Sequence, residues 1–229
     1  MSLPVVILAG GLATRLYPLT RQIPKSLVKV AGDYFIAHQL RYLGQQGISQ
    51  VVLCLGHLGE QIESIIGNGS AYDLTVRYSW DGPHLRGTGG ALKQALPLLG
   101  DAFFVLYGDS YLPIDFSAVE KIFHANSKQA LMTVFKNKNQ WDKSNVRLDK
   151  NLVIEYNKHQ PGHDLEYIDY GLSILSASAV RNYPGESFDL ASLYQDLSFR
   201  NELTGYEVFE RFYEIGSFEG LNELKNKFN

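Results

Sequence analysis

Close to the start of this chain, two glycines and two cations fall within one short stretch, VVILAGGLATRLYPLTRQIPKSL, which places Gly10-Gly11 ahead of Arg15 and Lys25. Val5 to Leu8 has the character of a buried strand. A glycine turn at its carboxyl end leads backbone N–H groups toward the sheet edge where ligands of open α/β folds bind. Phosphate is the natural occupant of such a place. Two familiar phosphate loops fail on spacing, since the stretch is not G-x-G-x-x-G and no G-x-x-x-x-G-K-[ST] occurs in the chain. A carboxylate follows a second strand-like run in FFVLYGDS, where Asp109 either caps the next turn or holds a cation such as Mg2+, which prefers carboxylate and phosphate oxygens. RGTGGALKQAL, from Arg86 to Leu96, is a further glycine loop at a helix N-terminus, whose amides can meet an anion or admit a base and ribose.

Together these residues resemble the signature of nucleotidyltransferases that couple a nucleoside triphosphate to a sugar 1-phosphate, L-A-G-G-x-x-T-R-L-x-P-L-T followed by P-K. Leu8-Ala9-Gly10-Gly11, Thr14-Arg15-Leu16, Pro18-Leu19-Thr20 and Pro24-Lys25 all match. The resemblance implies that Leu8, Ala9, Gly10 and Gly11 contact the nucleotide, that Arg15 sits on the triphosphate, and that Lys25 bridges toward the phosphate under attack. It makes Asp109 the first ligand of Mg2+ and Glu214, in YEIGSFEGL, the second, where relatives carry aspartate. Gly87, Thr88 and Gly89 match a nucleotide-pocket segment; Glu155 and Lys158 match an E-K element that holds the sugar phosphate. In IDYGLSIL, Asp169, Tyr170 and Gly171 replace the asparagine, alanine and glycine of a sugar-pocket segment. Ala13 stands where glycine is common, so the loop is expected to follow a slightly different path, because alanine tolerates positive φ poorly. Tyr34 replaces a usual proline. Arg86, in place of leucine, is either a phosphate or base contact or a surface charge. Trp80, Asp81 and Trp141 are pocket candidates or packing caps.

The elements that must position these groups follow a βαβ rhythm. Apolar runs PVVILAG, VVLCLG and FFVLYGD alternate with segments of helical period, among them FIAHQLRYLGQQG, in which Ile36, Leu40 and Leu43 share a face and Gly47 supplies the stop. That alternation predicts a largely parallel sheet covered on both sides. The resemblance sharpens it to a Rossmann-like three-layer α/β/α fold with a mixed sheet and a β-rich C-terminal half on the sugar side. ALMTVFKN, NVRLD, NLVIEYNK and YIDYGLSIL are strand-like, with Asp149-Lys150-Asn151 as a hairpin turn. One continuous domain over 1–229 is expected, its nucleotide-binding half about 1–128 and its substrate-binding half about 129–229.

At 229 residues, with a formal net charge of −3, the chain lacks the basic excess that tracks nucleic acid or anionic membrane. No apolar run approaches a membrane span and no signal peptide is evident, so a cytoplasmic protein is expected. Cys54 reads as a small buried hydrophobe. The six histidines, including His57, His84 and His163, show no zinc spacing, and Lys136 to Lys143 reads as a solvated loop. The implied partners are a nucleoside triphosphate and a phosphorylated sugar or small molecule; the oligomeric state stays open. Relatives using GTP with heptose or mannose 1-phosphate share the short length and the T-G-G-A-L loop. Cytidylyltransferases for phosphocholine or other phosphorylated small molecules share the front half and form an alternative reading. A non-catalytic nucleotide-sugar sensor is another, kept open by Glu214.

Overall fold

The computed structural model describes residues 2–82, 84–158 and 165–228. The first half runs through β1 Val5–Leu8, β2 Lys29–Val30, β3 Asp33–Tyr34, α1 Phe35–Gln45, β4 Gln50–Leu55, α2 Gly59–Ile66, β5 Thr75–Trp80, α3 Gly87–Ala95, β6 Ala102–Tyr107, β7 Ser110–Tyr111 and α4 Phe116–Ala125. The second half comprises β8 Ala130–Lys136, β9 Val146–Asp149, β10 Leu152–Tyr156, β11 Tyr167–Ser176, α5 Ala177–Asn182, α6 Leu190–Phe199, β12 Leu203–Val208, β13 Tyr213–Glu214 and α7 Phe218–Phe228.

Among the described residues, nine strands form one mixed sheet in the order β5-β4-β1-β6-β11-β8-β12-β10-β9. The strands β5, β4, β1 and β6 are parallel, and β11 joins β6 antiparallel. Along β1, Val5 and Ile7 face a core shared with α1, α2 and α4, whereas Val6 faces a second core with α3, α5 and α6. Both sheet faces are therefore covered, which is why this strand reads as a continuous apolar run rather than an alternating one. Asp149 to Asn151 forms the expected hairpin turn, with Lys150 at φ 53°.

Two features of this topology build the site. The chain runs outward from β1 through β4 to β5 and then returns to β6 on the other side of β1, so the strand ends at Leu8 and Tyr107 flank a topological switch point. A third, smaller core joins Val28, Val30 and Phe35 to Ile215, Leu221 and Leu224, which fixes α7 against the segment that follows Lys25.

Candidate functional site

A cavity of about 250 Å³ opens at the switch point, lined by Leu8, Ala9, Gly10 and Gly11 from the end of β1 and by Gly108 and Asp109 from the end of β6. Lys25 and Ser26 close one side, and Gly87 and Thr88 at the start of α3 close another. Lys25 Nζ donates to Asp109 Oδ2 at 2.7 Å, so the cation and the carboxylate expected at the reaction centre meet as a part-buried ion pair. Ala13 does not divert the loop from left-handed backbone but adopts it, at φ 52° and ψ 39°, and the Thr20 hydroxyl donates to its carbonyl at 2.7 Å. The helical turn that follows, Thr14–Leu16, is anchored by buried Leu16 and presents Arg15 to solvent at the edge of a second cavity.

The remaining nucleotide-side candidates separate. Gly89 lies off the cavity lining: its N–H donates to the Phe188 carbonyl at 3.0 Å, and a Cβ there would stand 2.1 Å from the Phe188 ring. Its glycine is required by packing. Thr88 Oγ1 lies 3.0 Å from Asp189 Oδ1 and accepts the Leu190 N–H, which ties α3 to the start of α6. Arg86 is half-buried, and its Nε donates to the Asp81 carbonyl at 3.1 Å, which ties the start of α3 to the end of β5. Asp81 itself is a buried carboxylate on the cavity wall, whose pKa is pushed up by burial against the opposing effect of a hydrogen bond from the Arg86 backbone N–H. Cys54 is buried on the same wall with its thiol pKa raised by burial. Trp80 packs into the core against Gly59.

The second cavity, about 470 Å³, shares Tyr107 and Asp109 with the first and is lined also by Arg15, Lys158, Asp169, Tyr170, Gly171 and Glu214. β11 bulges between Asp169 and Ser173, with Gly171 at φ 101°, and this irregularity brings Asp169 to the cavity. Burial raises the Asp169 pKa, and Lys158, whose ammonium lies over the Tyr107 ring at 5.7 Å, opposes that rise. Glu155 lies apart, paired with Arg147 at 3.1 Å across the β9–β10 hairpin. His163 falls outside the described residues. Trp141 belongs to this cavity, carried on a loop that buried Asn137 cross-links through its contacts with Asp142, Ser144 and Trp141. The Lys136–Lys143 run is thus partly a built wall.

Glu214 arrives on β13, which pairs with β7 so that the Ile215 N–H donates to the Asp109 carbonyl at 2.9 Å. Its carboxylate folds back to accept the Gly216 N–H at 2.8 Å and the Ser217 hydroxyl at 3.2 Å. A Cβ on residue 216 would fall 2.1 Å from that carboxylate, so any larger residue there would displace the Glu214 side chain from this position. Among the described residues no three His, Cys, Asp or Glu side chains gather around a metal-sized space. Two carboxylates nevertheless fit Mg2+, which keeps several waters and completes its octahedron with substrate phosphates.

Sequence reasoning missed Ser26, Tyr107 and Arg211. Ser26 Oγ is buried without a partner on the nucleotide side, Tyr107 stands between the cavities, and Arg211 stacks its guanidinium 3.7 Å from the Trp141 ring centroid. Ser26 and Tyr107 each neighbour a recognised motif, Pro24-Lys25 and Gly108-Asp109, and adjacency was the available signal. Nothing local marks Arg211.

Comparison with known proteins places these motifs. The family model described as Nucleotidyl transferase matches residues 4–145. The N-acetylmuramate alpha-1-phosphate uridylyltransferase of Neisseria meningitidis serogroup B is 43% identical over 49% of this chain and 49% of its own length. The match thus spans about half the length of that relative. The D-glycero-alpha-D-manno-heptose 1-phosphate guanylyltransferase of Aneurinibacillus thermoaerophilus is 26% identical over 91% of this chain and 86% of its own. Among solved structures, HddC from Yersinia pseudotuberculosis superposes with a TM-score of 0.83 at 25% identity, covering 99% of this chain and all of the other.

Proposed function

The chain belongs to the nucleotidyl transferase family, and we propose that it couples a nucleoside triphosphate to a sugar 1-phosphate, releasing pyrophosphate. The observation that carries this reading is the position of Asp109, which borders both cavities and is paired at 2.7 Å with Lys25. An oxygen of the sugar phosphate, ionised at neutral pH, attacks the α-phosphorus. The new O–P bond forms as the bond to the α–β bridging oxygen breaks, and pyrophosphate departs with that electron pair. No general base is needed; the requirement is to bring two anions together. Lys25 offers a movable point charge to the phosphate under attack, and Arg15 offers a planar fork to the leaving pyrophosphate. Asp109 and Glu214 would hold Mg2+, which when bound neutralises triphosphate charge.

GTP is the nucleotide this reading favours. The Asp81 carboxylate accepts hydrogen bonds only, and guanine presents two adjacent donors, N1–H and the 2-amino group, that a carboxylate can take together. Similarity over 91% of the chain to the heptose 1-phosphate guanylyltransferase of A. thermoaerophilus supports a heptose 1-phosphate as the acceptor, and similarity over 45% of it to a mannose-1-phosphate guanylyltransferase supports mannose 1-phosphate. Uridylyl transfer is the second reading, supported by the 43% identity to the Neisseria enzyme. A pyrophosphate-release screen of four nucleoside triphosphates against a panel of sugar phosphates, with and without Mg2+, tests class, base and metal together. Release from GTP alone supports guanylyl transfer; release from UTP alone overturns the role given to Asp81, and no release with any pair overturns the enzyme reading.

A further inference from the structure

Building on the transferase reading, we infer that Gln39 is a positioning residue for Asp109, fixing the direction in which that carboxylate meets Lys25 and the metal. Helix α1 turns Phe35, Ile36, Leu40 and Leu43 into the interior, and Gln39 is buried with them at 2% exposure. A polar side chain in such a place costs stability unless it is paired. Its amide nitrogen donates to the Tyr107 carbonyl at 3.1 Å and to the Ser110 carbonyl at 2.8 Å, the residues immediately before and after the Gly108-Asp109 turn. One amide therefore ties the two ends of that turn together. The opposite orientation would set its oxygen against two carbonyl oxygens, so the direction of the amide is dictated by its surroundings.

Backbone contacts hold the middle of the turn: the Gly108 N–H donates to the Leu8 carbonyl at 3.0 Å, and the Ile215 N–H donates to the Asp109 carbonyl at 2.9 Å. Gln39 adds a tie from a third element. Tyr42 and Gln46, at i+3 and i+7 and therefore on the same face, serve the chain further along, the Tyr42 hydroxyl donating to the Ile114 carbonyl at 3.0 Å and Gln46 Oε1 accepting the Phe116 N–H at 3.3 Å. This face of α1 thus templates the segment from β6 to α4, and Gln39 is the member that stands at the carboxylate. Because it lines neither of the two cavities, it acts through Asp109 rather than on a substrate.

The test is binding of Mn2+, which takes the same oxygen ligands as Mg2+, to the full chain, read from the electron paramagnetic resonance of the free ion well below each variant's melting temperature. Gln39→Met nearly keeps length and volume but removes both donors, and it is expected to weaken Mn2+ binding about tenfold or more, the usual cost of losing an outer partner of a metal ligand. Gln39→Asn keeps the amide but withdraws it by about 1.5 Å, so it should weaken binding about threefold or more, and it carries the test where Gln39→Met does not fold. Tyr42→Phe is the comparison. It strips a hydrogen bond to a backbone carbonyl from the same helix face and should lower the melting temperature, yet leave Mn2+ affinity within about twofold. Unchanged affinity in the folded Gln39 variants overturns the inference, as does an equal loss in Tyr42→Phe, or no Mn2+ binding by the unaltered chain. Mn2+ binding that follows the expected pattern, in a chain that releases pyrophosphate from no nucleoside triphosphate, would instead overturn the transferase reading and leave the role of Gln39 standing.

Discussion

Lys25 and Asp109 neutralise each other at 2.7 Å, so the cation proposed for catalysis already faces the site and must exchange one anionic partner for another. Lys25→Ala is expected to lower turnover about a hundredfold or more, the usual effect of losing a charge contact to the reacting group, with little change in thermal stability. Pyrophosphate release beside a melting curve checks both halves. Ala13 holds left-handed backbone, which is uphill by about 1 kcal/mol for a residue with a Cβ. Ala13→Gly should therefore stabilise the fold by up to that amount in urea unfolding, less the extra freedom glycine gives the unfolded chain. Asp169 has a folded-state pKa raised above its ordinary 3.8 by burial, so folding takes up a proton between those two values. Ionised Asp169 opposes folding above the raised pKa, and protonation relieves this as pH falls through it. Asp169→Asn is expected to be the more stable protein at pH 7, with the difference closing as pH falls toward 3.8; equal stability at both ends of that range would contradict the assigned burial.

The element scale decides which candidate residues reach the cavities. In the second glycine loop, Gly87 and Thr88 face the nucleotide cavity while Gly89 meets Phe188, so Gly89→Ala drives a methyl into an aromatic ring. Overpacking of this kind costs about 2 kcal/mol, and chemical denaturation of the variant measures it. Strand ends and the loops between β1, β4 and β6 were legible in the sequence because buried parallel strands and glycine turns are local signals. Arg15, Lys25, Asp109 and Glu214 were legible through their motifs. That Glu155 faces Arg147 was not legible, because the hairpin register depends on pairing between β9 and β10 rather than on spacing. Arg211 was invisible for a related reason: its partners Trp141 and Glu223 come from other parts of the chain and meet it only after folding.

Across the whole molecule, the third core links residues on either side of nearly the entire sequence, Val28 and Phe35 against Ile215 and Leu224. Leu224 is fully buried there, so Leu224→Ala should destabilise by about 3 kcal/mol, and the loss should appear first as local opening of α7. Hydrogen exchange would show the amides of α7 and of residues 28–35 losing protection together while β1, β4 and β6 keep theirs. The joint between these distant segments also sets an order in time. During synthesis the strands that frame the nucleotide cavity emerge long before the helix that steadies the stretch after Lys25 and carries the wall behind Glu214. A growing chain can therefore lay down the sheet around the cavity early, while the stretch after Lys25 gains its support only once α7 has emerged and docked.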